Sequence, residues 1–118
     1  MPRSFEEQPP PLTKTELTRL QSRAGEASAL LKALSNENRL LILCSLAGGE
    51  LSVTQLNDRI GMSQSGLSQQ LALLRREGLV HTRRQSQTIY YSLAPTNALH
   101  VIELLRGLYC GGRSPKAR

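Results

Sequence analysis

Residues Leu51–Val80 read LSVTQLNDRIGMSQSGLSQQLALLRREGLV. Two short helices joined by a tight turn account for this run. Ser52-Val53-Thr54-Gln55 has the spacing of a capping box, in which a hydroxyl and an amide three residues on satisfy each other's backbone N–H groups. That spacing predicts a helix start, and Gly61 supplies its end. Ser63 is placed to cap a second helix that runs to Gly78. The second helix has an apolar back of Leu67, Leu71 and Leu74 and a polar face of Gln64-Ser65-Gly66 with Ser68-Gln69-Gln70. Arg75-Arg76 and the basic stretch His81-Thr82-Arg83-Arg84 follow directly. Small polar side chains beside arginines suit a helix lying in a DNA major groove, where Ser and Gln meet base edges and Arg holds phosphates.

Upstream, residues 1–11 (MPRSFEEQPPP) are Pro-rich and are expected to form a disordered tail. From Leu12 the pattern turns helical. Leu17, Leu20, Ala24, Ala27, Leu31 and Leu34 step by threes and fours, which is one apolar stripe on a long amphipathic helix. Ser35 is the expected N-cap of the next helix, Asn36 to Ala47. Its run of Leu40, Leu41, Ile42, Leu43, Cys44 and Leu46 is apolar almost all round, so it is expected to be the central buried helix, stopped by Gly48-Gly49.

Downstream, Leu79 to Leu93 is strand-like on both sides of a polar tip, Gln85-Ser86-Gln87. It reads as a β-hairpin, although the tip lacks the Gly or Asn-Gly that such turns favour. Pro95 is expected to open a last helix with apolar positions Ala98, Val101, Leu105 and Leu108, ended by Gly111-Gly112, and residues 111–118 to form a flexible tail. The fold class is therefore mainly α with a β-hairpin wing: a winged helix-turn-helix over residues 12–110. The stripes on the first and last helices exceed what a small core uses, which points to a homodimer through those helices. Such a dimer would set two reading helices about 34–36 Å apart, one turn of DNA.

Composition supports a nucleic-acid partner. The chain has 118 residues, four aromatics and no Trp, so it forms one domain with a core of Leu, Ile, Val and Ala. Its net charge is +6. Between Arg59 and Arg84 there are five arginines and one acid, Glu77, which concentrates the positive field around the second helix of the pair. No apolar run approaches the ~20 residues of a membrane span, and the N-terminus lacks a signal peptide's apolar core. A cytoplasmic protein with no membrane partner is expected. In such a reducing compartment, two cysteines do not act as a structural staple. They form no Cys-x-x-Cys motif and no acid–base group is placed beside either in sequence, which argues against a thiol oxidoreductase and against an enzyme generally.

Leu34-Ser35-Asn36-Glu37-Asn38-Arg39-Leu40-Leu41-Ile42-Leu43 resembles the "LSxxxRLxIL" signature of the ArsR/SmtB repressors. The run from Leu51 through Leu71 is similar to their helix-turn-helix, and Leu74 to Val80 with Ile89-Tyr90-Tyr91-Ser92-Leu93 resembles their wing. The likeness covers residues 15–110. It departs at Asn36-Glu37, where the family usually has Asp-Pro or His-Pro, and at the wing tip, which lacks the usual Gly. The resemblance implies a homodimeric repressor that sits on double-stranded operator DNA until an inducer binds. On this view Gln64, Ser65, Ser68 and Gln69 meet base edges or adjacent phosphates, and Gly66 permits close approach. Arg83, Arg84 and Gln85 in the wing meet the neighbouring minor groove or backbone. Arg75 and Arg76 can equally serve as helix-end charges that complement the dipole. Ser68→Ala is expected to weaken specific binding most, and Arg83→Ala to lower affinity on all sequences and flatten its salt dependence.

Many relatives in this family sense metals. The Cys-x-Cys pair that one site type places on the third helix is replaced here by Ser52-Val53-Thr54-Gln55-Leu56. A second type uses D-x-H…H-x-x-E on the last helix, and only His100 and Glu103 keep that final spacing. Two ligands do not hold zinc, which takes about four donors. His100 therefore reads as a helix-surface residue and His81 as a surface or phosphate-facing one, and neither a metal nor a cofactor is expected. Cys44 on the second helix and Cys110 at the end of the last resemble the cysteine placement of the persulfide- and polysulfide-sensing branch, the SqrR/BigR type. Singly, Cys44 reads as a small core hydrophobe and Cys110 as an incidental thiol. As a pair, the resemblance implies a dithiol that reactive sulfur converts to a Cys–Sₙ–Cys bridge. A direct disulfide needs Cα atoms about 4.4–6.8 Å apart, and each inserted sulfur adds ~2 Å of reach. The competing expectation is a regulator that answers to a metal ion or to general oxidants through a plain disulfide.

Overall fold

The computed structural model describes residues 8–111. The expected N-terminal tail lies mostly, and the C-terminal tail almost wholly, outside the described residues. The order of elements is α1 (Lys14–Leu34), α2 (Glu37–Leu46), β1 (Leu51–Ser52), α3 (Val53–Ile60), α4 (Gln64–Arg76), β2 (Val80–Gln85), β3 (Thr88–Leu93) and α5 (Asn97–Tyr109). Backbone contacts divide the chain after Lys32, so that most of α1 is one unit and the residues from Ala33 onward are another.

α1 begins with a capping box formed by Thr13 and Glu16. The Thr13 amide donates to Glu16 Oε1 at 2.9 Å and the Glu16 amide to Thr13 Oγ1 at 3.1 Å. Its apolar stripe is largely open, with Leu17, Leu20 and Leu31 exposed.

In the second unit, Asn36 rather than Ser35 caps α2. Its backbone is extended and its Oδ1 accepts from the Arg39 amide at 3.0 Å, which satisfies a donor the first helical turn leaves free. α2 is also less enclosed than its composition suggests. Ile42, Leu43 and Leu46 are buried, whereas Leu41 is 52% exposed, because consecutive residues on a helix point more than a quarter-turn apart and cannot all face one core. The core is completed by Leu56 of α3, Leu67, Leu71 and Leu74 of α4, Leu79, Val80, Ala98 and Ile102. On α5 the sequence stripe shifts by one position. Ala98 and Ile102, one turn apart, are the buried pair, Val101 and Leu105 are half-buried, and Leu108 faces outward. Thr96, not Pro95, is the residue that caps α5, accepting from the Ala98 amide at 3.2 Å.

The sheet is antiparallel in the order β1-β3-β2. β2 and β3 form the expected hairpin, paired from Val80↔Leu93 to Gln85↔Thr88. The turn is therefore two residues, Ser86-Gln87, with Ser86 at φ 57 in the place where such turns favour Gly. β1 adds a third strand through Leu51↔Tyr91 and Ser52↔Tyr90, tying the base of the wing to the start of α3. Two residues of strand carry no alternation that a sequence could display. Among the described residues no helix is long and apolar enough to cross a membrane.

Candidate nucleic-acid interface and thiol pair

The helix-turn-helix is built by local chemistry. Ser52 and Gln55 make the expected capping box, with the Gln55 amide 3.2 Å from Ser52 Oγ and the Ser52 amide 2.9 Å from Gln55 Oε1. Gly61, at φ 79, ends α3 in the left-handed region that glycine adopts without a Cβ penalty. Ser63 then caps α4, its Oγ accepting from the Gly66 amide at 3.1 Å.

α4 divides as its sequence predicts. Leu67, Leu71 and Leu74 are buried, while Gln64, Ser65, Ser68 and Gln69 are exposed. Ser65, Ser68, Gln69, Ala72 and Arg76 form one outward row at helical spacing. Gln70 leaves that polar face: it is half-buried, with Oε1 shielded and unpaired. The back of the pair is held to α2 by an ion pair from Arg39 to Glu77 at 3.8 Å, just past the end of α4.

Gly66 has a local reason to be glycine. A Cβ there would lie 2.9 Å from Ser63 Oγ, which would displace the capping hydroxyl.

In the wing, residues directly opposite each other on paired strands share a face. His81, Arg83 and Gln85 lie on one face with Ser92, Tyr90 and Thr88; Val80, Thr82 and Arg84 lie on the other with Leu93, Tyr91 and Ile89. Arg84 and Gln85 are exposed. Arg83 is engaged within the molecule. Its Nε donates to both oxygens of Glu50 at 3.1 and 3.2 Å, its Nη1 donates to Gln85 Oε1 at 2.9 Å, and its Cζ sits 4.8 Å from the centre of the Tyr90 ring. The hydrogen bond from Arg83, with its charge, holds the Glu50 carboxyl below the usual carboxylate range. Sequence patterning missed Glu50, because nothing in a linear string ties it to a residue 33 positions away.

The thiols occupy two helices that pack against each other, α2 and α5. Both are free; Cys44 is half-buried and Cys110, at the end of α5, is exposed. Burial pushes the Cys44 thiol up, the nearby Cys110 adds to that, and the Arg106 guanidinium opposes it. Arg106 and Cys110 are one helical turn apart, with the Cys110 amide donating to the Arg106 carbonyl at 3.0 Å. Arg106 was overlooked in the sequence, although its i, i+4 spacing to Cys110 was there to be read. Among the described residues there is no group of three or more His, Cys, Asp or Glu side chains that could hold a metal ion.

Helices α3 and α4 with the β2–β3 wing define a winged-helix DNA-binding unit. The family described as bacterial regulatory protein, arsR family, matches residues 36–82. The chain is 51% identical over 94 residues to the transcriptional activator HlyU of Vibrio cholerae, covering 80% of this chain and 87% of that one. It is also similar to two solved structures. One is reduced HlyU from Vibrio cholerae (TM-score 0.74, 50% identity, 79% of this chain and 98% of the other). The second is the transcriptional repressor BigR from Xylella fastidiosa (TM-score 0.74, 38% identity, 83% and 99%). The chain belongs to the ArsR family of transcriptional regulators, and it is a DNA-binding regulator rather than an enzyme.

Proposed function

We propose that this regulator binds operator DNA as a homodimer and leaves it when reactive sulfur bridges Cys44 to Cys110. The observation that carries the sensing half is that the two thiols stand on packed helices, close enough for Cys110 to disfavour ionisation of Cys44. The similarity to a relative whose structure is described as reduced is in keeping with a redox-active pair.

The chemistry is two successive thiolate displacements. The thiolate of the exposed Cys110 attacks the central sulfur of an organic trisulfide, RS–S–SR, and expels one RS⁻. The Cys44 thiolate then attacks the same sulfur and expels the second. The product is Cys44–S–S–S–Cys110; the donor is reduced to two thiolates and each cysteine has given up its proton on ionising. Peroxide can yield only a direct disulfide, which demands closer Cα atoms than the bridged form. Arg106 partly offsets the burial and the neighbouring thiol that together disfavour the Cys44 anion.

For the output, Ser65, Ser68 and Gln69 on the outward row of α4, with Gln64 at its start, are assigned to base edges and adjacent phosphates. Gly66 keeps the cap that sets the helix entry, and Arg84 and Gln85 of the wing are assigned to the flanking backbone. Exposed Leu17, Leu20 and Leu31 on α1 and Leu104, Leu108 and Tyr109 on α5 are assigned to the dimer contact. A bridge between α2 and α5 would change how the dimer presents its two α4 helices. Loss of a few phosphate contacts then suffices for release, since each contributes steeply to affinity.

The test combines gel shifts on the DNA upstream of its own gene with mass mapping of reduced, peroxide-treated and polysulfide-treated protein. A Cys44–Cys110 crosslink carrying added sulfur, with loss of the shifted band, is expected after polysulfide. Release by peroxide with a plain disulfide would replace sulfur by a general oxidant as the signal. Release by polysulfide in a Cys44→Ser, Cys110→Ser double variant would remove the thiols from the mechanism.

A further inference from the structure

Glu50 precedes β1 and belongs to neither the reading helix nor the wing hairpin. Its carboxylate nevertheless accepts three hydrogen bonds from Arg83, two from Nε and one from Nη2. The sheet register explains the reach. Tyr90 of the central strand is opposite both Ser52 of β1 and Arg83 of β2. Continuing that register two residues back from Ser52 puts Glu50 opposite Ser92, on the same face as Arg83. The guanidinium therefore crosses the central strand diagonally, over the Tyr90 ring, to a partner two strands away.

We propose that Glu50 is a positioning residue for DNA binding: it latches the wing, through Arg83 laid over Tyr90, to the strand that leads into α3, and keeps that guanidinium off the phosphate backbone. The proposal rests on DNA binding through the winged unit and is independent of the thiol chemistry. An isolated exposed ion pair would contribute little. Here the guanidinium is held on three sides, by a two-pronged carboxylate, an aromatic face and the Gln85 amide oxygen. Of its five N–H donors, three are used within the molecule. Only two donors remain for a phosphate, which would have to compete with a carboxylate already seated on the same guanidinium. The wing cation left open to DNA is then Arg84, on the opposite face of the hairpin. Arg83 belongs to the wing's architecture, contrary to its expected phosphate role.

The test is the salt dependence of binding to a mixed-sequence duplex, by fluorescence anisotropy, for wild type, Glu50→Gln, Arg83→Ala and the double variant. Each phosphate contact contributes a log–log slope of about −0.9. Arg83→Ala alone is expected to leave the slope unchanged. Glu50→Gln is expected to steepen it by about one contact, an extra loss of roughly 3.5-fold in affinity between 50 and 200 mM salt. Arg83→Ala in the Glu50→Gln background should abolish that gain. If Arg83→Ala by itself flattens the slope by about one contact, or Glu50→Gln acts equally with and without Arg83, the latch is wrong. A second readout needs no DNA: the Arg83 Nε–H resonance should be protected from exchange in the free protein and lose protection in Glu50→Gln. An unprotected resonance in wild type overturns the proposal. A wild type that binds no duplex at all would count against the regulator's DNA-binding role, and the resonance would still decide the latch.

Discussion

Ser63 and Gly66 form a unit three residues long. The hydroxyl satisfies the Gly66 amide, and the absent Cβ leaves room for it. Gly66→Ala should gain about 1 kcal/mol of helix propensity and lose a cap worth about the same, so its net effect on thermal stability is expected to be small. Ser63→Ala in the native background should cost about 1 kcal/mol, yet almost nothing once Gly66 is Ala. Equal Ser63→Ala losses in both backgrounds, by denaturant titration, would separate the two residues. On the outward row, Ser68→Ala should weaken operator binding while leaving random-duplex binding nearly untouched, because a base-edge contact carries sequence information and a phosphate contact does not. At the thiol pair, burial and Cys110 both raise the Cys44 pKa, so less of its thiolate exists at neutral pH and its alkylation should keep accelerating above the ordinary thiol range. Cys110→Ser should move that pH midpoint down, and Arg106→Gln should move it up, as measured by iodoacetamide kinetics across pH.

Among the elements, α4 shows why one helix serves two purposes. Its period places Leu67, Leu71 and Leu74 inward and the Ser and Gln side chains outward, so the core holds the proposed reading face in place. Leu71→Ala, at a fully buried position, is expected to destabilise the fold by about 2–5 kcal/mol in denaturant titrations. Ser68→Ala, on the opposite face of that helix, should change stability by under about 0.5 kcal/mol. These faces, both caps of the helix-turn-helix and the hairpin were legible in the sequence, since each is set by residues within a few positions of one another. Other features were not. β1 is too short to alternate, α2 begins at whichever of Ser35 and Asn36 adopts the capping geometry, and the buried side of α5 depends on which neighbour it meets.

For the whole molecule, the apolar surface left over on α1 and α5 matters most. Leu108 is 63% exposed, and in the dimer proposed above it would be covered. Leu108→Glu should shift sedimentation toward the monomer and weaken operator binding, with the helical circular dichroism retained. A dimer of unchanged strength would place the contact elsewhere. The winged helix-turn-helix class was legible in the chain alone, because period, caps and turn residues are local and survive without neighbours. The same local residues carry the likeness to the ArsR family, to which the chain belongs. Long-range packing set Arg83 against Glu50, brought Cys110 to bear on Cys44, and left particular leucines outside. Those facts join residues 33 and 66 positions apart, and no local propensity acts over such distances; they follow from how strands register and helices pack.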